Sequence, residues 1–585
     1  MDATIRWGTT QSQPILMIPG PTELPFPVVQ AMSQPATIQY DLNFDVKILE
    51  PVTLALRDIF QTSRGEVIVM PGSGRTALEA AAISVIEPGD RVLVVVAGVF
   101  GSLMREIMTR AGAEVTEHTV EWGRPLDLAR LEKDVERVKP KAVSMVHNET
   151  STGTTYPAAE VGRIVKRHGA LFMLDTVSSL AGLDVRTDDW GVDFNMTGSQ
   201  KCLAAPLGMA VVSVSPAAWE AMERRKHKSS SWAYDLLRWK ENWIPASRGG
   251  HIPDGSPRRQ PVSIPTHLTS ALGVASRLIL EEGLAHRFRR HAVAGRAFRA
   301  GLEAMRLELF PDASLLSNTV SCFKAPAGVE PAAVVSHMRD RYGILIGTGL
   351  DKMRTSTLRV GHMGITSSPM YILPTLSALE LTSLIRRKVV SPVEVTDAVL
   401  ARLERLNPSL NCFCTVTADE ARDAAVAAEV AVMTGEELGP LHGVPFSVKD
   451  VVWTRRVLTT GGSRLFADHV PDEDAVVVER LKGAGGVILG KTNTPEFAHK
   501  GVTDSPLFGI TRNPWNLALT PGGSSGGAGA AVAGGLGPVA VGTDRAAPSG
   551  SPHRSAGSTG SSRRSGACRN SRAFAAGRRS RTRAR

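Results

Sequence analysis

The chain has 585 residues, of which 43% are hydrophobic, so we expect a globular protein with two or three domains rather than a single core. No stretch resembles a signal peptide or is apolar and long enough to span a bilayer, which predicts a cytoplasmic protein without a membrane partner. The five cysteines are few and scattered. This argues against a disulfide framework, and we expect no metal site.

The positive charge of the chain lies in its last residues. Eleven arginines and no acidic residue fall within residues 545–585, so the formal net charge of +10 less eleven leaves residues 1–544 at −1. This tail is mostly Ser, Gly, Ala and Arg, a composition that cannot bury a core. We therefore expect residues 545–585 to be disordered and expect no nucleic acid partner. A basic arm for RNA is the alternative.

Short apolar runs alternate with helical patterns in the first part of the chain. The runs that predict strands are Glu66–Met70, Arg91–Val96, Ala142–Val146 and Ala170–Leu174. The patterns that predict helices are Ala77–Val85, Leu126–Val138 and Ala158–His168. This alternation is typical of an α/β fold, an open and mostly parallel sheet with helices on both faces. Ligands of such sheets bind at the carboxyl ends of the strands.

Candidate polar or aromatic groups follow each of these strands. Residues 73–75 form a Gly/Ser turn that feeds a helix, and a helix N-terminus suits a phosphate. Phe100, Thr150 and Asp175 follow the second, third and fourth strands. Taken singly, Phe100 could belong to the core, and Thr150 and Asp175 could cap helices. Their recurrence at the same edge of the sheet favours a binding site.

Asp175 and Lys201 are the most informative pair. Asp175 ends a buried strand, and Lys201 follows 26 residues later in the turn Thr197-Gly198-Ser199-Gln200-Lys201. A carboxylate that keeps a pyridine nitrogen protonated and a lysine that forms a Schiff base are the protein groups that a pyridoxal phosphate enzyme needs. The pair therefore predicts pyridoxal phosphate as the cofactor.

Motifs along residues 14–376 strengthen this prediction. They are Pro19-Gly20-Pro21, Gly72-Ser73-Gly74-Arg75-Thr76-Ala77-Leu78-Glu79-Ala80, His147-Asn148-Glu149-Thr150-Ser151-Thr152-Gly153, Asp175-Thr176-Val177-Ser178-Ser179, Gly198-Ser199-Gln200-Lys201 and Leu358-Arg359-Val360-Gly361-His362-Met363-Gly364. In this order they resemble the class V, fold type I pyridoxal phosphate-dependent aminotransferases of the alanine–glyoxylate and serine–pyruvate group. The resemblance implies a large cofactor-binding part at about 20–265 and a small C-terminal α+β part at about 266–376.

The resemblance also implies roles for individual residues. Lys201 would form the Schiff base and carry the proton, and Asp175 would pair with the pyridine nitrogen. Arg359 would bind the substrate carboxylate in a bidentate manner. The implied phosphate ligands are Ser73, Gly74, Arg75 and Gln200. Phe100 would stack on the cofactor ring, and Thr150 would lie near the ring hydroxyl. Gly20 would border the substrate.

A homodimer is implied as well, because in this family the phosphate is also reached from the partner subunit. Ser263 lies at that position and Gln260 is close to it. The implied reaction moves the amino group of a small amino acid to glyoxylate or pyruvate. Segments at 121–123, 139–143 and 280–284 are also similar to ureidoglycine–glyoxylate aminotransferases. Gln39 could then hydrogen-bond a ureide donor, although Gln260 replaces the expected asparagine opposite it.

From Ser377 the sequence resembles the N-terminal part of the amidase-signature hydrolases. The motifs are Val390-Ser391-Pro392-Val393-Glu394-Val395, Leu441-His442-Gly443-Val444-Pro445-Phe446-Ser447-Val448-Lys449-Asp450, Gly490-Lys491-Thr492-Asn493-Thr494-Pro495-Glu496-Phe497 and Pro521-Gly522-Gly523-Ser524-Ser525-Gly526-Gly527. In that family a neutral lysine acts as base, a serine held by a cis peptide bridges, and a second serine attacks. Lys449 matches the base and Ser524 the bridging serine, with Ser525 beside it.

The chain departs from that family after Asp544. The family continues into a Gly-Gly-Ser turn with the nucleophile, but Pro548 occupies the nucleophile position here, and Ser549 lacks the glycine turn. If GC-rich codons are chosen for residues 545–553, dropping two bases gives Gly-Gly-Ser-Ile-Arg-Ile-Pro-Ala. We hypothesise that a single-base loss made residues 545–585 an out-of-frame tail; the gene around codon 545 tests this.

The predicted organisation is therefore an aminotransferase at residues 1–376, a truncated and inactive amidase-signature domain at 377–544, and a disordered tail at 545–585. A bifunctional aminotransferase and amidase is the first alternative. A non-functional fusion product with a basic arm is the second.

Overall fold

The computed structural model describes residues 14–543, apart from residues 36, 327, 370, 373, 374, 377, 378, 380–389, 437 and 440. The chain divides into two compact units, a larger one of residues 14–340 and 344–372 and a smaller one that includes residues 390–543. The domain boundaries expected from the sequence remain predictions, because residue 377 and residues 545–585 lie outside the described residues.

Strands and helices of the larger unit alternate as predicted. The strands are β1 (Ile15–Leu16), β2 (Glu66–Pro71), β3 (Arg91–Val96), β4 (Glu114–Thr119), β5 (Ala142–Val146), β6 (Asn148–Glu149), β7 (Thr154–Thr155), β8 (Leu171–Asp175), β9 (Phe194–Gly198), β10 (Met209–Val214), β11 (Val320–Lys324), β12 (Ile344–Leu345), β13 (Gly347–Thr348) and β14 (Thr357–Gly361). The α-helices are α1 (Phe26–Met32), α2 (Leu42–Phe44), α3 (Glu50–Phe60), α4 (Gly74–Val85), α5 (Val99–Arg110), α6 (Leu128–Val138), α7 (Ala158–Arg167), α8 (Pro216–Glu223), α9 (Leu236–Trp243), α10 (Thr266–Glu282), α11 (Leu284–Ala304) and α12 (Pro331–Tyr342). A π-helix at Asp45–Leu49 joins α2 to α3.

The central sheet has seven strands in the order β2-β10-β9-β8-β5-β3-β4. Strand β10 runs antiparallel to both of its neighbours, and the other pairs are parallel. Six strands therefore point the same way, and the carboxyl ends of β2, β3, β5, β8 and β9 share one edge. This is the mostly parallel sheet that the sequence predicted.

Both faces of this sheet are buried, because successive side chains of a strand point to opposite faces. On β3, Val92 and Val94 belong to one hydrophobic cluster, whereas Leu93 and Val95 belong to another. Met173 and Phe172 divide in the same way on β8. Valine-rich strands favour this pleated, doubly covered position, and the helices supply the two covering layers.

A smaller antiparallel sheet has the order β11-β14-β13. Its central strand β14 carries Arg359, which lies opposite Cys322 on β11 and Gly347 on β13. Because β14 is bonded on both sides, the backbone of Arg359 is fixed.

The smaller unit contains a four-stranded sheet and two short strands. Its strands are β15 (Phe413–Val416), β16 (Pro445–Lys449), β17 (Val487–Thr492), β18 (Asp504–Ser505), β19 (Gly509–Ile510) and β20 (Val539–Val541); its helices are α13 (Pro392–Leu410), α14 (Ala418–Thr434), α15 (Val476–Gly483) and α16 (Gly526–Ala533). The sheet order is β15-β17-β16-β20, with β16 parallel to both neighbours. Helix α13 begins with a capping box in which Ser391 and Glu394 bond each other's backbone.

None of the helices in the described ranges is both long and apolar enough to cross a membrane.

Candidate active site

A cavity of about 340 Å³ lies at the carboxyl edge of the central sheet. Strands and turns that are far apart in sequence line it, including the turn after β2, the first turn of α5 and the segments after β5, β8 and β9. The sequence-predicted residues that line it are Gly20, Ser73, Gly74, Arg75, Phe100, Thr150, Asp175, Gln200 and Lys201. The parallel strands thus bring together most of the predicted cofactor site.

Lys201 follows β9 and is almost fully buried. Its Nζ donates a hydrogen bond to the carbonyl oxygen of Pro19. Gly20, at a φ of +87°, makes this approach possible, because a Cβ there would lie 2.4 Å from Lys201 Cδ. Burial, together with the positive charge of Arg359, lowers the pKa of Lys201 to about 8. A substantial fraction of this amine is therefore neutral near physiological pH.

Asp175 is the last residue of β8 and is 3% exposed. Its Oδ1 accepts a hydrogen bond of 2.8 Å from the Val177 amide. Burial is the main cause that raises the pKa of this carboxyl to about 7; the Val177 amide opposes the rise, the charge of Glu149 adds to it, and the charge of Lys201 opposes it. A cationic group bound beside Asp175 would restore the carboxylate.

The N-terminus of α4 forms one end of the cavity, with Ser73 as its N-cap residue. Free amides and the positive end of a helix dipole bind phosphate well. Gly198 permits close packing here, because a Cβ would lie 2.7 Å from the Gly74 nitrogen and 2.8 Å from Gln200 Oε1. That Gln200 oxygen is buried and has no hydrogen-bond partner among the described residues. Arg75 is exposed at the same helix end.

Phe100 and Thr150 occupy other walls of the cavity. Phe100 lies in the first turn of α5. The hydroxyl of Thr150 shares a short hydrogen bond with that of Ser178.

Arg359 lies beside the cavity and is 8% exposed. Its Nε donates to the carbonyl oxygen of Thr348 at 2.9 Å, and its Nη1 donates to that of Thr150 at 3.2 Å. These two bonds fix the plane of the guanidinium group. The sequence prediction placed it at the substrate, and its charge does act on Lys201.

Three further predicted residues, like Arg359, do not line the cavity in the single chain. Gln39 is half-buried and Ser263 is exposed. Gln260 is 5% exposed, and neither of its side-chain amide atoms has a hydrogen-bond partner among the described residues. Their expected roles involve a ureide donor and a partner subunit, so these roles remain predictions.

Comparison with known proteins identifies the family. The Aminotransferase class-V model matches residues 16–249. An uncharacterized aminotransferase of Methanocaldococcus jannaschii is 36% identical over 368 residues, which are 63% of this chain and 92% of that protein. The chain belongs to the class-V aminotransferases.

Solved structures agree with this assignment. The ureidoglycine–glyoxylate aminotransferase of Bacillus subtilis is 33% identical, with a TM-score of 0.60 over 64% of this chain and 94% of that chain. The alanine–glyoxylate aminotransferase of Nostoc is 32% identical, with a TM-score of 0.59 over 63% of this chain and 95% of that chain. The predicted fold type I architecture is therefore confirmed.

The residues of this class-V site fit pyridoxal phosphate. The cavity volume of about 340 Å³ suits a small cofactor. The N-terminus of α4 gives the cavity a polar end whose backbone amides can donate to a phosphate, and Asp175 and Lys201 lie on the other walls. Glycines 20 and 198 keep the approaches to Lys201 and to the polar end free of side chains.

The assignment of roles from sequence missed several cavity-lining residues. Val177 and Ser178 are two and three positions after Asp175, and Asn148 is two before Thr150. All three lie inside motifs that carried the family resemblance. Their position in these motifs could therefore have predicted that they line the cavity. Leu207 also lines the cavity, although it is 55% exposed, and no sequence pattern marked it.

The smaller unit contains a second cluster of predicted site residues. An Amidase family model matches residues 394–548, so this domain is confirmed as amidase-like. Lys449, at the end of β16, is fully buried, and its Nζ donates to the hydroxyls of Ser524, Ser525 and Thr543 at 2.8, 3.0 and 2.7 Å. The Gly523–Ser524 peptide is cis, as the resemblance implied. Pro548 and the tail lie outside the described residues.

Proposed function

We propose that the larger unit transfers the amino group of a small amino acid to glyoxylate or pyruvate with pyridoxal phosphate as cofactor. The observation that supports this most is the convergence of Lys201, Asp175 and the N-terminus of α4 on one cavity, with Arg359 beside it. Relatives named for glyoxylate-dependent transamination of ureidoglycine, aspartate and serine support the acceptor.

Each group then has a distinct task. The α4 N-terminus with Ser73, Gly74, Arg75 and Gln200 would hold the phosphate, Phe100 would stack on the ring and Asp175 would hold the proton of the ring nitrogen. When bound, pyridoxal phosphate supplies an electron sink for the electron pair left at the substrate's α carbon.

Lys201 moves the proton. Its lowered pKa of about 8 keeps enough neutral amine to accept the α proton, and its position beside Pro19 and Gly20 limits where that amine can reach. Arg359 binds the substrate carboxylate, and because the Thr348 and Thr150 carbonyls fix its plane, the α carbon is held at one distance from Lys201.

Absorbance spectroscopy of the purified protein tests this function. Addition of pyridoxal phosphate should produce a visible band, and a suitable amino donor should remove that band until glyoxylate restores it. Alanine, serine and ureidoglycine are the donors to compare. Turnover with alanine or serine but not with ureidoglycine would rule out the role of Gln39 toward a ureide donor. A protein that gives no visible band contradicts the proposed function.

We also propose that the enzyme is a homodimer. Seven large apolar side chains are at least 40% exposed between residues 26 and 54, and the buried amide of Gln260 has no partner among the described residues. The seven are Phe26, Val29, Ile38, Tyr40, Leu42, Val46 and Leu54. Light scattering should give a dimer mass, and Val46→Asp should yield monomers.

For the smaller unit we propose that amide hydrolysis is absent. Lys449 donates to the hydroxyls of Ser524 and Ser525, but the sequence has Pro548 where the family has its nucleophile. Amide hydrolysis by the purified chain that disappears in Lys449→Ala would instead support a bifunctional enzyme.

A further inference from the structure

Helix α5 begins without an N-capping side chain of its own. Its N-cap residue is Gly98, which has no side-chain acceptor, so the amides of its first turn need acceptors from elsewhere. The turn matters because Phe100, the aromatic wall of the cavity, is its second residue.

Glu149 and Ser151, about 50 residues further along the chain, supply those acceptors. Glu149 Oε1 accepts from the Phe100 amide at 3.4 Å, and Glu149 Oε2 accepts from the Gly101 amide at 3.2 Å. Ser151 Oγ accepts from the Val99 amide at 3.1 Å and donates to Glu149 Oε1 at 2.5 Å. Three consecutive amides of α5 are thus bonded to one short segment after β5.

The absence of a side chain at residue 98 belongs to the same arrangement. A Cβ on Gly98 would lie 2.4 Å from both Cγ and Cδ of Glu149 and 2.5 Å from Ser151 Oγ. Because Gly98 has an extended φ of 172°, any residue could adopt its backbone conformation. Space for the Glu149 carboxylate is therefore the reason that glycine is required here.

Glu149 is fully buried. Burial raises the pKa of its carboxyl, and the hydrogen bonds from Ser151, Gly101 and Phe100 lower it. The positive end of the α5 dipole stabilises the carboxylate in addition. The adjacent residue, Thr150, lines the cavity and accepts the Arg359 bond through its carbonyl oxygen. Glu149 thus lies between the ring-stacking residue and the residue predicted to bind the substrate.

We propose that Glu149 is a positioning residue of the cofactor site: it anchors the first turn of α5 and so holds the Phe100 ring against the cavity. This inference rests on the proposed function, since the ring has a stacking task only if pyridoxal phosphate binds there. Glu149 itself does not line the cavity. It acts through the amides of Phe100 and Gly101.

The variant Glu149→Gln tests the proposal. It is isosteric, but one of the two oxygens becomes an NH₂ group that faces another donor, so the first turn of α5 loses an acceptor. Asp235→Asn is a matched control: Asp235 caps α9 by accepting from the Leu237 amide at 3.1 Å and does not line the cavity.

Two measurements are needed. Hydrogen exchange of the cofactor-free protein reports the first turn of α5 directly, and we expect exchange at residues 99–101 to become about tenfold faster in Glu149→Gln. Titration with pyridoxal phosphate should show about tenfold weaker binding and a weaker visible circular dichroism band. Asp235→Asn should change neither.

The outcomes separate the two proposals. Unchanged cofactor affinity and circular dichroism in Glu149→Gln, with or without faster exchange, would overturn the positioning role. A wild-type protein that does not bind pyridoxal phosphate would instead overturn the proposed function. If Glu149→Gln does not fold, Ser151→Ala decides by the same measurements, because it removes the acceptor of the Val99 amide and a donor to Glu149.

Discussion

The larger and the smaller unit each bury a lysine at the carboxyl end of a strand, and the two lysines have different surroundings. Lys201 follows β9, donates to the Pro19 carbonyl and faces a cavity. Lys449 ends β16, and the hydroxyls of Ser524, Ser525 and Thr543 accept hydrogen bonds from its Nζ. A ligand in the cavity can reach the amine of Lys201, whereas the amine of Lys449 is surrounded by the three hydroxyls that accept from it.

A third lysine shows that a lowered pKa does not by itself mark a reactive amine. Burial lowers the pKa of Lys491 to about 8, as it does for Lys201. The Nζ of Lys491 donates to the Val452 carbonyl at 2.5 Å and to the hydroxyls of Thr454 and Thr459 at 3.0 and 2.9 Å. Of these three lysines, Lys201 is the one that adjoins the cavity, which Asp175 and the N-terminus of α4 also line.

The largest expected effect separates Lys201 from Lys449 directly. Lys201→Ala should lower the transamination rate by about 10²–10⁴-fold, the typical contribution of a positioned proton-transfer group. Lys449→Ala should leave this rate unchanged. Single-turnover absorbance measurements on both variants check the expectation. Equal losses in the two variants would show that the second lysine also serves transamination.

The next effect concerns the guanidinium group beside the cavity. Arg359→Gln removes a charged, geometrically fixed carboxylate ligand, so kcat/KM for the amino donor should fall by about 10- to 100-fold. Arg354→Gln, at an exposed position of the same unit, is the matched control and should have no effect. Steady-state kinetics with both substrates measures the change. A loss confined to the cofactor affinity would contradict a substrate-binding role.

The pKa of Asp175 gives a smaller effect that depends on pH. The pKa is raised to about 7 in the cofactor-free protein, so below pH 7 the carboxyl is protonated and must lose its proton to pair with a protonated ring nitrogen. Cofactor affinity should therefore fall as the pH decreases below 7, by up to about tenfold per pH unit, and should level off above it. Titrations of wild type and of Asp175→Asn with pyridoxal phosphate give two cofactor affinities at each pH. The ratio of these affinities isolates the contribution of the Asp175 carboxyl. A ratio independent of pH would contradict the pairing.

Sequence patterns predicted the fold of the larger unit well where the strands are apolar. The valine-rich strands at 66–71, 91–96 and 142–146 were expected almost at their observed bounds. Strand β4, Glu114–Thr119, was not expected, because it is a polar strand at the edge of the sheet and lacks the apolar run of a buried strand. Strand β10 was missed although it is apolar, and its antiparallel direction depends on pairing that local sequence does not encode.

The site divides in a similar way. The positions of Asp175 and of the turn at 73–75 beside the cavity could be predicted, because each follows an apolar run at a sheet edge, and Lys201 was found from its Gly/Ser turn. The contact of Glu149 with the α5 amides could not, because it joins residues about 50 positions apart and depends on the close approach of Gly98. The roles expected for Gln260 and Ser263 involve a second subunit and remain predictions.

The smallest effect tests whether the hydroxyl groups around Lys449 are structural. Ser525 Oγ accepts from Lys449 and from the Thr543 amide, and donates to the Thr543 carbonyl. Ser525→Ala should destabilise this corner by about 1 kcal/mol, which corresponds to about fivefold faster hydrogen exchange in residues 521–543. Ser409→Ala, at an exposed helix position, should change nothing there.

Transamination should be the same in both variants, because the cavity of the larger unit contains neither residue. If wild type hydrolyses amides and Ser525→Ala abolishes that activity, the cluster of Lys449 and Ser525 has a catalytic role. The smaller unit would then contain a reactive lysine, as the larger unit does.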